Sequence, residues 1–170
     1  MKVNKSMSFV QSKNKIKILN YFPLLILFFI SLNGSSTINL NFFSINIHYI
    51  LVYYWVLRDP KLLGYGFIFL SGIISDVIFG TPMGITALSL LIVASVAAYI
   101  RVVTVRISLI NDWISFLPAL LLANFFYFIS MYYSDLPIDY IYLMKNSFFT
   151  FIFYPILWSI FSLFLNFIKS

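Results

Sequence analysis

The sequence predicts an all-α polytopic membrane protein with six transmembrane helices and both ends in the cytoplasm, and three observations predict it. The first is composition: 62% of the 170 residues are apolar and 9% are charged, and the mean hydropathy is +0.97. A water-soluble domain of this size needs a polar exterior, and five acids with eleven bases cannot cover one. The second is segmentation, because the apolar residues fall into long runs divided by short polar breaks. The third is the placement of the bases, which flank the runs with a bias to one side, the pattern of membrane orientation rather than of nucleic-acid binding.

The runs are Ile18 to Ile38, Phe42 to Leu57, Leu62 to Phe79, Met83 to Ile100, Trp113 to Tyr133 and Ser147 to Ile168. At about 1.5 Å per helical residue, most of them reach across a hydrocarbon layer of about 30 Å. The second run is short and carries Asn46 and His48, so charge decides whether it counts. With six spans and a cytoplasmic N-terminus, the inside holds the bases of the N-terminal tail, Arg58 and Lys61, Arg101 and Arg106, and Lys169, leaving Lys145 outside. Removing the second span would send Arg58, Lys61, Arg101 and Arg106 to the outer face, against the positive-inside tendency. The expected organisation is a basic cytoplasmic tail over residues 1–17 and one transmembrane domain over 18–170. A competing reading makes the first run a signal peptide cut near Gly34-Ser35-Ser36, which leaves the later topology unchanged. The two longest polar pieces, the tail and the outer loop from Ser134 to Asn146, lack the apolar periodicity of a soluble core.

Residue types exclude most chemistry. The chain has no cysteine, hence no disulfide, thiolate metal site or cysteine nucleophile. His48 is the lone histidine; with no acid beside it, it reads as a hydrogen-bonded histidine in preference to a metal ligand. No G-x-S-x-G motif accompanies the scattered serines. Asp76 is the one acid well inside a run, whereas intramembrane aspartyl chemistry needs two at one depth. The expectation is therefore a protein without catalytic residues, cofactor or metal. Tyr and Trp near the run ends read as interfacial anchors. The lysine-rich tail reads as an orientation signal that also touches anionic lipid.

Asp76 carries the most information. It lies about 21 Å along a helix started at Leu62, in the outer part of the bilayer. An unpaired acid there costs several kcal/mol. The following Thr81 and Pro82 read as an N-cap and first helical residue, which would present free N–H groups to the carboxylate across a tight hairpin. Two readings stay open: a structural cap on the next helix, or contact with a partner, ion or solute. Gly64, Gly66 and Gly72 on one run, with Ala87, Ala94 and Ala98 on the next, read as small faces for close helix approach.

The stretch from Gly64 to Ala94, preceded by Tyr54-Trp55-Val56-Leu57-Arg58-Asp59-Pro60, resembles the bacterial rod shape-determining protein MreD family. Gly72, Asp76, Gly80, Pro82 and Gly84 fall on its Gly-x-x-x-Asp helix and Gly, Pro, Gly turn, with Pro60 and Pro23 on its upstream prolines. The likeness extends over nearly the whole chain, departing at Ile73-Ile74-Ser75 and in the polar second run with His48. It implies a fold similar to the substrate-binding subunits of energy-coupling-factor transporters. It also implies a non-enzymatic subunit of the bacterial inner membrane that associates with MreC, and through it with MreB, the RodA glycosyltransferase and an elongation-specific penicillin-binding transpeptidase, to maintain cell shape. The fold likeness supplies the rival expectation, a small-solute, vitamin-type binding or transport subunit. Such a subunit should gather polar groups into one pocket, and the candidates are Asp76, Asn124, Asn46 and His48.

Overall fold

In the computed structural model, residues 21–34, 37–40, 43–104, 108–135 and 139–169 are described. The basic tail over 1–17, the beginning of the first run and Arg106 lie outside them.

The first helix, α1 (Phe22–Leu32), opens with Pro23 in its first turn, where the missing N–H costs no intrahelical bond. A two-stranded antiparallel hairpin follows, β1 (Thr37–Leu40) and β2 (Phe43–Asn46), paired from Thr37 opposite Asn46 to Leu40 opposite Phe43. This corrects the expectation of helix to Ile38 and again from Phe42. The hairpin is pinned to the bundle by the Asn46 N–H, which donates to Thr150 Oγ1 at 2.8 Å. Asn46 then caps α2 (Ile47–Arg58), its side chain accepting from the Tyr49 N–H at 3.1 Å.

Helix α2, the weakest run in the sequence, is the centre of the molecule. Every residue from His48 to Leu57 is buried, on all sides of the helix, and a helix apolar all round belongs in a core. It packs against α1 and against the last three helices of the chain. Pro60 ends it. Asp59 accepts from the Lys61 N–H to start a single turn, α3 (Pro60–Leu63), and Gly64 at φ +60° turns the chain into α4 (Tyr65–Phe79). Helices α5 (Ile85–Val103), α6 (Leu109–Tyr133) and α7 (Tyr140–Lys169) complete the bundle. Ala87, Leu90, Ala94 and Ala97 form the buried stripe of α5 at helical spacing; Ala98, expected on that face, is only half-buried. Asp139 caps α7 through the Tyr142 N–H, so the expected outer loop is helical from Tyr140.

Among the described residues, α5, α6 and α7 to Leu165 are long and apolar enough to cross a membrane, and α1 and α4 are apolar but shorter. The polarity is inverted relative to a soluble protein: Ser31, His48, Ser71, Ser75, Asp76 and Asp112 are inside, while Leu25, Phe29, Val102, Met144 and Leu163 stand exposed. This is a helical membrane protein, its apolar exterior matched to lipid.

Helix ends alternate between two faces. Asn46 before α2, Phe79 ending α4, Thr86 starting α5, Met131 near the end of α6 and Tyr142 at the start of α7 all border one cavity. At the opposite face, Arg58 ending α2, Asp112 at the start of α6 and Trp158 in the second half of α7 meet in one cluster. Trp158 Nε1 donates to Asp112 Oδ2 at 2.9 Å, and Arg58 Nη2 lies 3.8 Å from the same oxygen. The guanidinium is held over the rings of Tyr54 and Trp158, 5.1 Å from each centroid. Asp112 is 2% exposed, so removing its cation leaves a buried charge with one neutral donor. Arg58→Met, which keeps the apolar stem, is expected to lower stability by about 2 kcal/mol. Chemical denaturation of the purified protein in detergent checks this, and a wild-type midpoint would show that the ion pair adds nothing.

Candidate functional site

The hairpin between α4 and α5 is built around Asp76, which is fully buried. Helix α4 ends on Gly80 in the left-handed region, φ +66°, and the Thr81 N–H reaches back to the Asp76 carbonyl at 3.0 Å. This is the six-to-one closure of a Schellman motif, for which glycine is favoured because it has no Cβ to strain. Gly84, at φ +103°, is the second left-handed residue and the residue before α5. Between them Pro82 occupies the turn, its carbonyl accepting from the Ile85 N–H.

The Asp76 side chain fills the space so formed. Oδ1 accepts from the Thr81 hydroxyl at 2.9 Å and the Thr86 N–H at 3.0 Å, and Oδ2 accepts from the Gly84 N–H at 2.7 Å. Three donors at the start of α5, including backbone groups that have no intrahelical partner, end on one carboxylate at the positive end of the helix dipole. The cap expected of Thr81 is thus supplied by Asp76, and α5 begins at Ile85 rather than at Pro82. Of the two readings of Asp76, the structural cap describes its contacts. Gly72, one turn earlier, lets the helices meet: a Cβ there would overlap the Ala87 backbone, 2.6 Å from its nitrogen. Gly72, Asp76, Gly80, Pro82 and Gly84 therefore form one local unit in which each of the three glycines occupies a position that resists a side chain, by contact or by backbone angle.

Beside this unit lies a cavity of about 440 Å³. Asn46 and His48 border it from the start of α2, Thr86 from the hairpin, Asn124 and Tyr127 from α6 and Asn146 from α7. Three of the four polar candidates expected of a solute site, Asn46, His48 and Asn124, are brought together here. The fourth, Asp76, stands one hydrogen bond behind Thr81 and Thr86, both of which border the cavity. Tyr127 and Asn146 were not anticipated, and no local sequence signal marks them.

His48 is 1% exposed and its Nε2 faces α1, 3.0 Å from Ser31 Oγ and 3.4 Å from the Leu27 carbonyl. Ser31 spends its only proton on that carbonyl, at 2.9 Å. The ring nitrogen therefore donates, and Nδ1 is left as a bare acceptor with no partner. A Ser–His pair at this distance has the spacing of an activated nucleophile. Here the polarity is reversed, since the histidine gives a proton to the serine, and Ser31 is fully buried. No group of three or more His, Cys, Asp or Glu stands together among the described residues.

Comparison with protein-family models, with curated proteins and with solved structures finds no match for this chain.

Proposed function

We propose that the chain is a non-enzymatic subunit of a bacterial rod-shape and cell-elongation complex, of the MreD type, spanning the inner membrane six times with both ends in the cytoplasm. The observation that carries this reading is the hairpin. The residues on which the family resemblance rests are the residues that make a closed physical unit, with Asp76 spent entirely on the chain's own donors. A carboxylate so saturated holds shape, as a scaffold requires, and is not free for proton transfer. The arrangement of helix ends supports six spans, since ends of α2, α4, α5, α6 and α7 gather at the cavity and the other ends of α2 and α6 meet at the Arg58–Asp112 pair. Around the hairpin Val77, Ile78, Phe79 and Met83 are exposed and apolar, a surface suited to a partner's transmembrane helix. In this reading the partner is MreC, and MreB, RodA and the transpeptidase are reached through it.

Photocrosslinkers at Phe79 and Met83 are expected to capture a single-span protein with a large periplasmic part. Capture of a cytoplasmic ATPase module alone would overturn the assignment. Reporter fusions at Ser170 and in the 104–108 connection are expected to read cytoplasmic, and one at Asp139 periplasmic; a periplasmic signal at Ser170 would remove the six-span arrangement. The cavity favours a second reading, a small-solute binding or transport subunit. Conditional depletion separates the two: rounded, swelling cells support the scaffold, and a growth defect rescued by one nutrient supports the solute subunit.

A further inference from the structure

We propose that the cavity beside the hairpin is a binding site for a small uncharged or cationic organic molecule that donates a hydrogen bond to the Asn124 side-chain oxygen. The site stands on the cavity alone and holds whichever assembly the chain joins. Its volume, about 440 Å³, lies within the range of about 300–1,000 Å³ of small-molecule pockets.

The walls set the charge of the occupant. Among the described residues that border the cavity there is no lysine or arginine, and the one ionisable acid is Asp139. The Asp76 carboxylate stands directly behind Thr81 and Thr86. An anion entering would meet two carboxylates and no cation, and near lipid the repulsion is weakly screened. A neutral or positive molecule meets no such barrier.

The hydrogen-bonding groups set its polarity. His48 turns Nε2 toward Ser31 and Leu27 and its Nδ1 is buried, so its ring lends wall surface and no exposed polar atom. Asn124 spends one amide proton on Ser147 Oγ at 2.8 Å and keeps its oxygen as an acceptor. The Tyr127 hydroxyl, also at the wall, can donate or accept. Phe79, Met131 and Leu143 supply the apolar part of the wall, so the fitting molecule has polar edges and an apolar face.

The absence of cysteine makes the test clean. Met131→Cys places one thiol at the wall, and Tyr133→Cys places one on the exposed end of α6 as reference. Both are labelled with methanethiosulfonates carrying hydroxyethyl, trimethylammonium-ethyl or sulfonatoethyl groups. Relative to the reference, the neutral and cationic reagents are expected to react with the thiol at position 131 at least about tenfold faster than the anionic one. Uridine and choline are then added as probes, with uridine monophosphate as the anionic match. At least one of the first two is expected to slow labelling by the neutral reagent severalfold, and the nucleotide is not. Asn124→Leu is expected to abolish that protection while the thiol still reacts. A thiol at position 131 that never reacts, equal or faster reaction with the anionic reagent, protection by neither uridine nor choline, or protection that survives Asn124→Leu would each overturn the proposal.

Discussion

Gly72→Ala is expected to disrupt the hairpin, and Gly72→Leu to prevent its assembly. A methyl at this position would lie 2.6 Å from the Ala87 nitrogen, 2.8 Å from its Cβ and closer still to its Cα. Two of these are backbone atoms, so no side-chain rotation relieves the overlap and α4 and α5 must separate. Separation draws the Gly84 and Thr86 N–H groups away from Asp76, which adds lost hydrogen bonds to an overpacking cost of about 1–3 kcal/mol. Gly66, nearly two turns away on the same helix, has nothing within 4 Å of a built Cβ. Gly66→Ala should be neutral or stabilise by up to about 1 kcal/mol through helix propensity. Thermal unfolding in detergent and protein level in cells compare the two. Adding Ala87→Gly to Gly72→Ala should rescue only part of the loss, because the Ala87 nitrogen and Cα stay in the way. Equal stability of Gly72→Ala and Gly66→Ala would mean that the close approach is not needed.

This contact is legible in the sequence because it is local. Gly72 and Ala87 are joined by one turn, and small residues in successive apolar runs have few other uses. Asp76 is legible for the same reason, since an acid cannot rest in an apolar helix without donors and the nearest free donors are at the next helix start. The register of that start differs from the sequence expectation by three residues. Thr81-Pro82 has the composition of an N-terminus, but Gly80 and Gly84 both take left-handed backbone, which holds 80–84 in a turn and points the Thr81 hydroxyl back at Asp76. The β-hairpin also leaves a trace: Ile38 and Leu40 alternate with Asn39 and Asn41, a period of two inside what reads as continuous apolar chain.

The centrality of α2 leaves no trace. Hydropathy ranks a helix by its affinity for lipid, and α2 scores low because His48, Tyr49, Tyr53 and Tyr54 carry polar atoms. Two of those residues find partners inside the protein, the Tyr53 hydroxyl at the Asp112 carbonyl and His48 Nε2 at Ser31. The cavity is illegible for a related reason. Its walls come from α2, α6, α7 and the hairpin, and one of the wall residues, Asn46, is held by Thr150, 104 residues away. Asn46, His48 and Asn124 can be named as polar residues in apolar runs, but only packing makes them neighbours.

Asp76→Leu is expected to be the most damaging substitution of a single polar group. Leucine fits the space but accepts nothing, so the Gly84 and Thr86 N–H groups and the Thr81 hydroxyl all lose their partner. Each buried donor so stranded costs about 1–3 kcal/mol, and the sum is comparable with the stability of a small domain. From the sequence alone, Asp76→Asn should keep much of the function, because an amide oxygen still accepts. The geometry makes it less benign. Both carboxylate oxygens are engaged, Oδ1 by Thr81 and Thr86 and Oδ2 by Gly84, and an amide has one oxygen. Set toward Thr81 and Thr86, it turns its NH₂ against the Gly84 N–H, donor against donor. Asp76→Asn should therefore fall between wild type and Asp76→Leu, with one stranded donor in place of three. Both variants should lose protein level and hairpin resistance to proteolysis first, and under the proposed function whatever remains folded should co-purify with MreC to the same extent as wild type. If Asp76→Asn is fully stable and yet fails to co-purify, the carboxylate is meeting a cation on the partner and the cap is incidental. If Asp76→Leu is stable in both assays, the hairpin does not depend on the acid at all.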